Sequence, residues 1–170
     1  MQNNIPNELC RDRKGFNFEA EVVKPLDSLK VKFKSNPILS FEEWKKNKGK
    51  GADILLSFAE VECKYRSKYY DRPSYIRRDH IPRFSFTEGI DMIVVTNYKW
   101  YYGRKSRALL YEYGIKLMDL SELICYILDK LKSLNGSNTE VLLLSYNSAV
   151  NMVLHRSGYI VTYIEDYFDG

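Results

Sequence analysis

The segment that decides how this chain is expected to fold is GADILLSFAEVECK, residues 51–64. We interpret it as two short strands that turn near Ser57 and Phe58. In the antiparallel pair that results, Asp53 at the start of the first strand lies opposite Glu62 on the second. The segment therefore predicts a β-hairpin with a carboxylate on each strand.

The charged residues of this hairpin are predicted to share one face. Because side chains alternate between the two faces of a strand, Glu62 and Lys64 point to the same side as Asp53. The side chains predicted to point toward the core are those of Ile54, Val61 and Cys63. Two carboxylates beside one ammonium group are costly, because like charges repel and a buried carboxylate must be neutralised. A divalent cation such as Mg²⁺ removes that cost, and two carboxylates with a strand carbonyl suit an oxygen-seeking ion.

These residues resemble the signature of the PD-(D/E)XK nuclease superfamily, which has an Asp at the start of one strand and Glu-x-Lys on the next. The corresponding residues here are Asp53 and Glu62-Cys63-Lys64, and Ala52 replaces the Pro of the name. The resemblance implies an α/β fold with a restriction-endonuclease-like core, in which helices flank a central mixed β-sheet. It also implies one or two Mg²⁺ or Mn²⁺ ions bound by Asp53, Glu62 and the carbonyl of Cys63, with Lys64 positioning the attacking water.

A helix is predicted to begin within residues 14–26, where apolar side chains recur every four residues: Phe18, Val22 and Leu26. Pro25 is expected to kink or shorten it unless it falls between two helical turns. The pattern Gly-x-x-Phe-Glu at residues 15–19 resembles the first helix of Mrr-type restriction enzymes and archaeal Holliday-junction resolvases, in which a Glu approaches the metal site. Glu19 is therefore a further catalytic and metal-binding candidate, with Glu21 as the fallback. The alternative is an ordinary surface Glu, favoured near a helix start by the helix dipole.

The order of the later elements extends the resemblance over residues 14–134. The predicted elements are a buried strand at 91–97 ending in Thr-Asn, the aromatic Trp100, a helix at 106–113, a strand at 115–119 and an amphipathic helix at 120–134. Residues 138–170 predict one more strand, a helix and a strand, which we take as an elaboration of the same domain. We therefore expect one domain over residues 1–170.

The charge distribution is uneven, although the net charge is only +4. Residues 1–107 hold 22 Lys and Arg against 14 Asp and Glu, whereas residues 108–170 hold 4 against 8. The basic half carries the candidate site, and positive charge beside carboxylates suits a phosphodiester backbone. The residues predicted to bind nucleic acid are Lys48, Lys50, Arg66, Lys68, Arg72, Arg77 and Arg78. The alternative is a solvated basic surface, in which Arg77 and Arg78 pair with neighbouring Asp residues.

Several other classes of protein are not indicated. The sequence shows no membrane-spanning run, no signal peptide and no phosphate-binding Gly-rich loop. The three cysteines are scattered, so neither a zinc site nor a disulfide framework is expected, and Cys63 and Cys125 are predicted to lie in the core. We expect an intracellular protein, located in the cytoplasm, or in the host cytoplasm if viral. The abundance of Tyr, Ile, Lys and Glu hints at a thermophilic archaeal or archaeal-viral source.

The resemblance implies a metal-dependent DNA endonuclease, with DNA as partner and a two-fold homodimer as the expected assembly. Structure-selective cutting, as at a Holliday junction or flap, and restriction-type cutting are not separated by the sequence. One alternative is a non-catalytic DNA-binding protein that retains a nuclease fold. Another is an interaction module in which the charged residues of the hairpin are merely part of the solvent-exposed surface.

Overall fold

A five-stranded mixed β-sheet forms the centre of the computed structural model. The structure describes residues 7–35, 40–47, 50–66, 76–135, 140–143, 148–156 and 160–163. Its elements are α1 (Asn7–Ser28), β1 (Phe33–Ser35), α2 (Phe41–Asn47), β2 (Ile54–Leu56), β3 (Ala59–Lys64), β4 (Asp91–Thr96), α3 (Arg104–Glu112), β5 (Lys116–Met118), α4 (Leu120–Asn135), β6 (Glu140–Leu143), α5 (Ser148–Arg156) and β7 (Ile160–Tyr163). Two 3₁₀ segments, Arg78–Arg83 and Lys99–Tyr101, precede β4 and α3.

The strands of the central sheet lie in chain order. β1, β2 and β3 pair antiparallel, whereas β4 pairs parallel to both β3 and β5. The predicted hairpin is confirmed, because Ile54 pairs with Val61 and Leu55 with Glu60. Continued by one residue, this register places Asp53 opposite Glu62. The prediction of an α/β fold with a mixed sheet flanked by helices is therefore confirmed.

Apolar side chains cover both faces of the sheet, as the continuous run of β4 requires. Ile93 and Val95 belong to a core cluster that α1, α4 and α5 share with β2 and β3. Val94 belongs to a second cluster, which contains Ile81 and Phe84 beside the residues of α3. Glu62 is the partner of Val94 in the parallel β3–β4 pair, so its side chain points to the second face. The candidate site is thus built on the side of the sheet where the 3₁₀ segment Arg78–Arg83 lies.

α1 continues through Pro25 to Ser28, so the predicted shortening at Pro25 does not occur. The helix ends at Ser28, and two residues later Lys30 has a positive φ of 57°. The amide of Val31 then donates to the carbonyl of Leu26, the backbone bond that typically closes a helix at such a residue. Because α1 runs from Asn7 to Ser28, Glu19 lies in the interior of the helix, away from both ends.

α4 and α5 close the first face of the sheet. Val150, Val153 and Leu154 of α5 are buried in the same cluster as the core residues of α1 and α4. β6 and β7, on either side of α5 in the sequence, pair parallel in a separate two-stranded sheet. Cys125 lies on the exposed side of α4, so the prediction that it belongs to the core is wrong.

Asp91, at the start of β4, links this strand to β5 and to α4. Its carboxylate accepts a hydrogen bond from Tyr126 Oη at 2.5 Å and forms ion pairs with Lys116 and Lys130 at 3.1 and 3.2 Å. Burial alone would raise the pKa of Asp91, but these hydrogen bonds outweigh it and lower the pKa to about 2. Within the described ranges, no helix combines the length and apolar character needed to cross a membrane.

Candidate active site

Glu62 is the centre of the candidate site. It lies in the middle of β3 and is only 1% exposed. Its Oε1 accepts from Lys64 Nζ at 2.5 Å and also from Nη1 of Arg83. Its Oε2 is buried and has no hydrogen-bond partner among the described residues. A buried carboxylate oxygen without a partner is costly, which makes Oε2 the atom most in need of a ligand.

Asp53 lies where β2 and β3 separate. Its Oδ2 accepts a hydrogen bond of 2.7 Å from the backbone N–H of Cys63, so the carboxylate takes the place of a strand partner beyond the last paired residues. Burial, followed by the negative charge of Glu62, raises the pKa of Asp53 to about 7. The Cys63 thiol points away into the first core cluster, and burial raises its pKa well above the usual value. The backbone of Cys63, not its thiol, is therefore the part that faces the site.

Glu19 reaches the same cluster from α1. It is buried, and its Oε2 accepts a hydrogen bond of 2.7 Å from the indole Nε1 of Trp44 in α2. Burial, followed by the negative charge of Asp53, raises the pKa of Glu19 to about 8. Because α1 begins at Asn7, Glu19 is neither at a helix start nor on the surface, so the alternative of an ordinary surface Glu is wrong. Glu21, the fallback, is exposed.

The three carboxyl groups form one electrostatic unit. The charges of Asp53 and Glu62 both raise the pKa of Glu19, and the charge of Lys64 lowers it. Such mutual effects require groups that lie close together in a medium that screens poorly. Among the described residues, no group of three or more His, Cys, Asp and Glu side chains is arranged to hold a metal ion. The carboxylates instead bond to Trp44 Nε1, to the Cys63 amide and to the two basic side chains.

The 3₁₀ segment Arg78–Arg83 forms the wall of the site opposite β3. Arg83 pairs with Glu62, and the amide of Ser85 donates to Glu60 Oε2 at 2.7 Å. Burial, followed by the positive charges of Lys64 and Arg83, lowers the pKa of His80 to about 4. At neutral pH the imidazole of His80 is therefore uncharged.

The 3₁₀ segment includes Pro82. Proline lacks an amide donor and disfavours α conformation in the residue before it, which suits a short 3₁₀ turn better than an α-helix. Arg83 was not predicted as a site residue. Ile81 and Phe84, the apolar residues on either side of it, are the sequence signal that could have indicated a fixed, inward-facing Arg, and both are buried in the structure.

The residues predicted to bind nucleic acid differ in their surroundings. Lys50, Arg77 and Arg78 are exposed, and Arg77 forms a surface ion pair of 3.0 Å with Asp79. Arg66 is only 6% exposed, which argues against an open contact with a DNA backbone. The Asn97 side chain also holds the backbone of Arg66 through two hydrogen bonds of 2.7 Å. The remaining three candidates lie outside the described residues: Lys48, Lys68 and Arg72.

Comparisons of the chain with protein-family models, with curated proteins and with solved structures found no match. The side-chain chemistry of Glu62, Asp53, Glu19 and Lys64, with Arg83 beside them, is therefore the ground for assigning a function.

Proposed function

We propose that this protein is a metal-dependent nuclease that hydrolyses phosphodiester bonds in DNA. The observation that carries the proposal is the Glu62 carboxylate, which is buried beside two further carboxyl groups and leaves Oε2 without a partner among the described residues. Lys64 and Arg83 offset the charge of Glu62, but burying three acidic groups together is still costly, and a bound cation would reduce that cost. Burial raises the pKa values of the two neighbouring carboxyl groups, Asp53 and Glu19, and carboxyl groups with such raised pKa values concentrate at functional sites.

The order of elements supports a restriction-endonuclease-like core. α1 is followed by the antiparallel strands β1, β2 and β3, and then by β4 and β5 in parallel. Asp53 immediately precedes β2, and Glu62 and Lys64 lie on β3. Glu19 approaches from α1. These are the positions that the resemblance to PD-(D/E)XK nucleases implies for an acid, a Glu-x-Lys pair and a helical Glu.

The chemistry of the donor set suits a hard divalent cation, although the described side chains are not arranged around one in this structure. Carboxylate and carbonyl oxygens are the ligands that Mg²⁺ and Mn²⁺ prefer, and here they would be supplied by Asp53, Glu62, the carbonyl of Cys63 and Glu19. The raised pKa values of Asp53 and Glu19 mean that protons compete for the same oxygens near neutral pH. When bound, the ion would supply Lewis-acid polarisation of the phosphate.

Lys64 has the position to assist the reaction. Its side chain is 20% exposed, and its ammonium group forms an ion pair with Glu62 Oε1. An ammonium group at this place can donate to an attacking water molecule and stabilise negative charge on the phosphorane-like transition state. The partial exposure leaves a route by which a phosphate could reach it. We therefore assign Lys64 to water positioning and charge stabilisation.

The proposed substrate is DNA, and the proposed assembly is a homodimer. Lys50, Arg77 and Arg78 are exposed and lie within six residues of Asp53 or Arg83 in the sequence, and their positive charge suits a polyanion. A two-fold dimer would bring two such sites to the two strands of a duplex or branched molecule.

The test is a cleavage assay on linear duplex, single-stranded and four-way-junction DNA, in Mg²⁺, in Mn²⁺ or in EDTA. We expect EDTA to abolish cutting. Asp53→Asn and Glu62→Gln should each reduce cutting by at least about 10²-fold, as expected for loss of a transition-state interaction. Glu60→Gln is the matched control, since Glu60 lies two residues away on the same face of β3 and is expected to leave cutting unchanged. Cutting that survives EDTA or both site variants would contradict the proposal. DNA binding without any cutting would instead identify a non-catalytic DNA-binding protein.

A further inference from the structure

Arg83 is held in the site by the packing of its neighbours. Ile81 and Phe84 are buried in the second core cluster, and they fix the chain on both sides of Arg83. The Arg83 side chain is 24% exposed, and its Nη1 bonds to Glu62 Oε1. Because the segment between Ile81 and Phe84 is short and anchored at both ends, its backbone has little freedom to carry Arg83 out of the site. Arg83 is therefore a fixed component of the cluster, although it is no part of the Asp and Glu-x-Lys pattern.

The hydrogen bonding between Arg83 and Glu62 differs from that of a typical structural ion pair, because Arg83 bonds to only one of the two carboxylate oxygens. An Arg that neutralises a buried carboxylate often forms two parallel hydrogen bonds, one to each oxygen. Here Arg83 and Lys64 both bond to Oε1, and Oε2 has no hydrogen-bond partner among the described residues. Two cations thus share one oxygen, while the other is buried without a hydrogen-bond partner among the described residues. This asymmetry indicates that Oε2 is kept for a ligand that neither basic side chain supplies.

A cation that binds Glu62 changes the surroundings of Arg83. The guanidinium group stays charged at any pH a protein tolerates, so it cannot respond by losing a proton. A dication on Glu62 would repel it and take over its counter-charge. The guanidinium group then requires another anion within reach of the same anchored segment. The anion that enters a nuclease site together with the cation is the phosphate of the substrate.

We propose that Arg83 is a phosphate-binding residue of this site, held on Glu62 in the free protein and transferred to a non-bridging oxygen of the phosphodiester when the cation binds. The proposal rests on the proposed nuclease function and adds to it the residue that neutralises the substrate. It assigns Arg83 two sequential partners, a carboxylate and then a phosphate. Both present pairs of oxygens that the planar guanidinium group recognises well.

The experiment compares Arg83→Gln with the wild type in two measurements that are expected to change in opposite directions. Mn²⁺ affinity without DNA, measured by calorimetry, should rise about ten-fold, because a competing positive charge is removed. Turnover at saturating Mn²⁺ and DNA should fall about 10²- to 10³-fold, as for loss of one transition-state donor. A purely structural Arg83 would give turnover that recovers fully at saturating Mn²⁺, because the ion then neutralises Glu62. Such recovery, or an unchanged Mn²⁺ affinity, would overturn the proposal.

Two further variants keep the test decisive. Arg156→Gln is the matched control, since Arg156 is exposed at the end of α5, and it should change neither Mn²⁺ affinity nor turnover at saturating DNA. If Arg83→Gln does not fold, Arg83→Lys decides, because a point charge replaces the planar donor. A turnover reduced ten-fold or more supports the proposal, and a wild-type turnover overturns it.

Failure of the nuclease function can be told apart from failure of this proposal. If the wild type cuts no DNA, the nuclease function fails, and DNA binding in Ca²⁺ still tests Arg83. Removing the charge that neutralises one phosphate should reduce the slope of log K against log salt by about 0.9 on duplex DNA. A reduced slope in Arg83→Gln supports phosphate binding by Arg83, and an unchanged slope overturns it.

Discussion

Replacing Glu19 by Gln should stabilise the protein when no metal is present. The pKa of Glu19 is about 8 in the folded state against 4.5 as the ordinary value, so the folded protein binds this proton more tightly than the unfolded chain does. The stability gained from protonation is therefore complete below about pH 4.5 and is lost as the pH rises through 8. Gln cannot ionise, and its amide oxygen can still accept the hydrogen bond from Trp44.

The size of the effect follows from the displacement of the pKa. Each pH unit of difference corresponds to about 1.4 kcal/mol, so ionisation of Glu19 at pH 8 costs the folded state at most about 4–5 kcal/mol. Asp53 and Glu62 share their charges with Glu19, and the site relaxes when one of them ionises. We therefore expect a gain of about 1–3 kcal/mol in the free energy of unfolding at pH 8, shrinking below about 1 kcal/mol at pH 5.

The assay is urea unfolding followed by circular dichroism in EDTA at pH 5, 6.5 and 8. Glu21→Gln is the control, because Glu21 is exposed on the same helix and its replacement should change stability by less than about 0.5 kcal/mol. A Glu19→Gln variant that is less stable than the wild type by the same amount at every pH would refute the reasoning. Glu19 would then be only a hydrogen-bond partner of Trp44.

Three further outcomes are expected. Replacing Arg77 and Arg78 together by Ala should lower the slope of log K against log salt for duplex DNA in EDTA by about 0.9 for each phosphate that the protein no longer neutralises, whereas an unchanged slope would favour a merely solvated surface. Replacing Leu154 by Ala should reduce the free energy of unfolding in urea by about 2–5 kcal/mol, and a reduction below about 0.5 kcal/mol would show that α5 does not belong to the core. Replacing Asp91 by Asn should destabilise the protein by about 1 kcal/mol at pH 7, since partly exposed charge pairs are screened. The difference in the free energy of unfolding between this variant and the wild type should diminish toward pH 2. The reason is that the pKa of Asp91 is depressed, so its stabilising contribution disappears as the pH falls from about 4 through 2. A difference that stays constant with pH would contradict this explanation.

The elements that were predictable from the sequence are those with a regular pattern. The alternation between charged and apolar residues in β3 indicated the strand, its register with β2 and the face that carries Glu62 and Lys64. The continuous apolar run of β4 and the amphipathic face of α4 likewise indicated elements that the structure contains. In each case the local sequence and the tertiary packing favour the same conformation, so local reasoning was sufficient.

The parts that were not predictable depend on contacts between distant residues. The hydrogen bond from Trp44 to Glu19 joins residues 25 positions apart, and Arg83 is 21 positions from Glu62. Arg66 was expected on the surface because Arg is seldom buried, but Asn97 fixes its backbone where the side chain is covered. Charge and composition alone do not show which basic residues turn inward.

The hydrogen bond between Trp44 and Glu19 also gives the protein an intrinsic optical probe. The chain has 2 Trp residues; Trp44 is buried, and Trp100 is 85% exposed. Their emission should differ in wavelength, with blue-shifted light from Trp44 and red-shifted light from Trp100. In a Trp100→Phe variant the remaining fluorophore donates directly to the Glu19 carboxyl group, whose pKa is raised to about 8 by burial and by Asp53. A change in its emission between pH 6 and 9 would let the protonation of Glu19 be followed in solution without any added label. A second change on addition of Mn²⁺ would report the proposed binding of the ion.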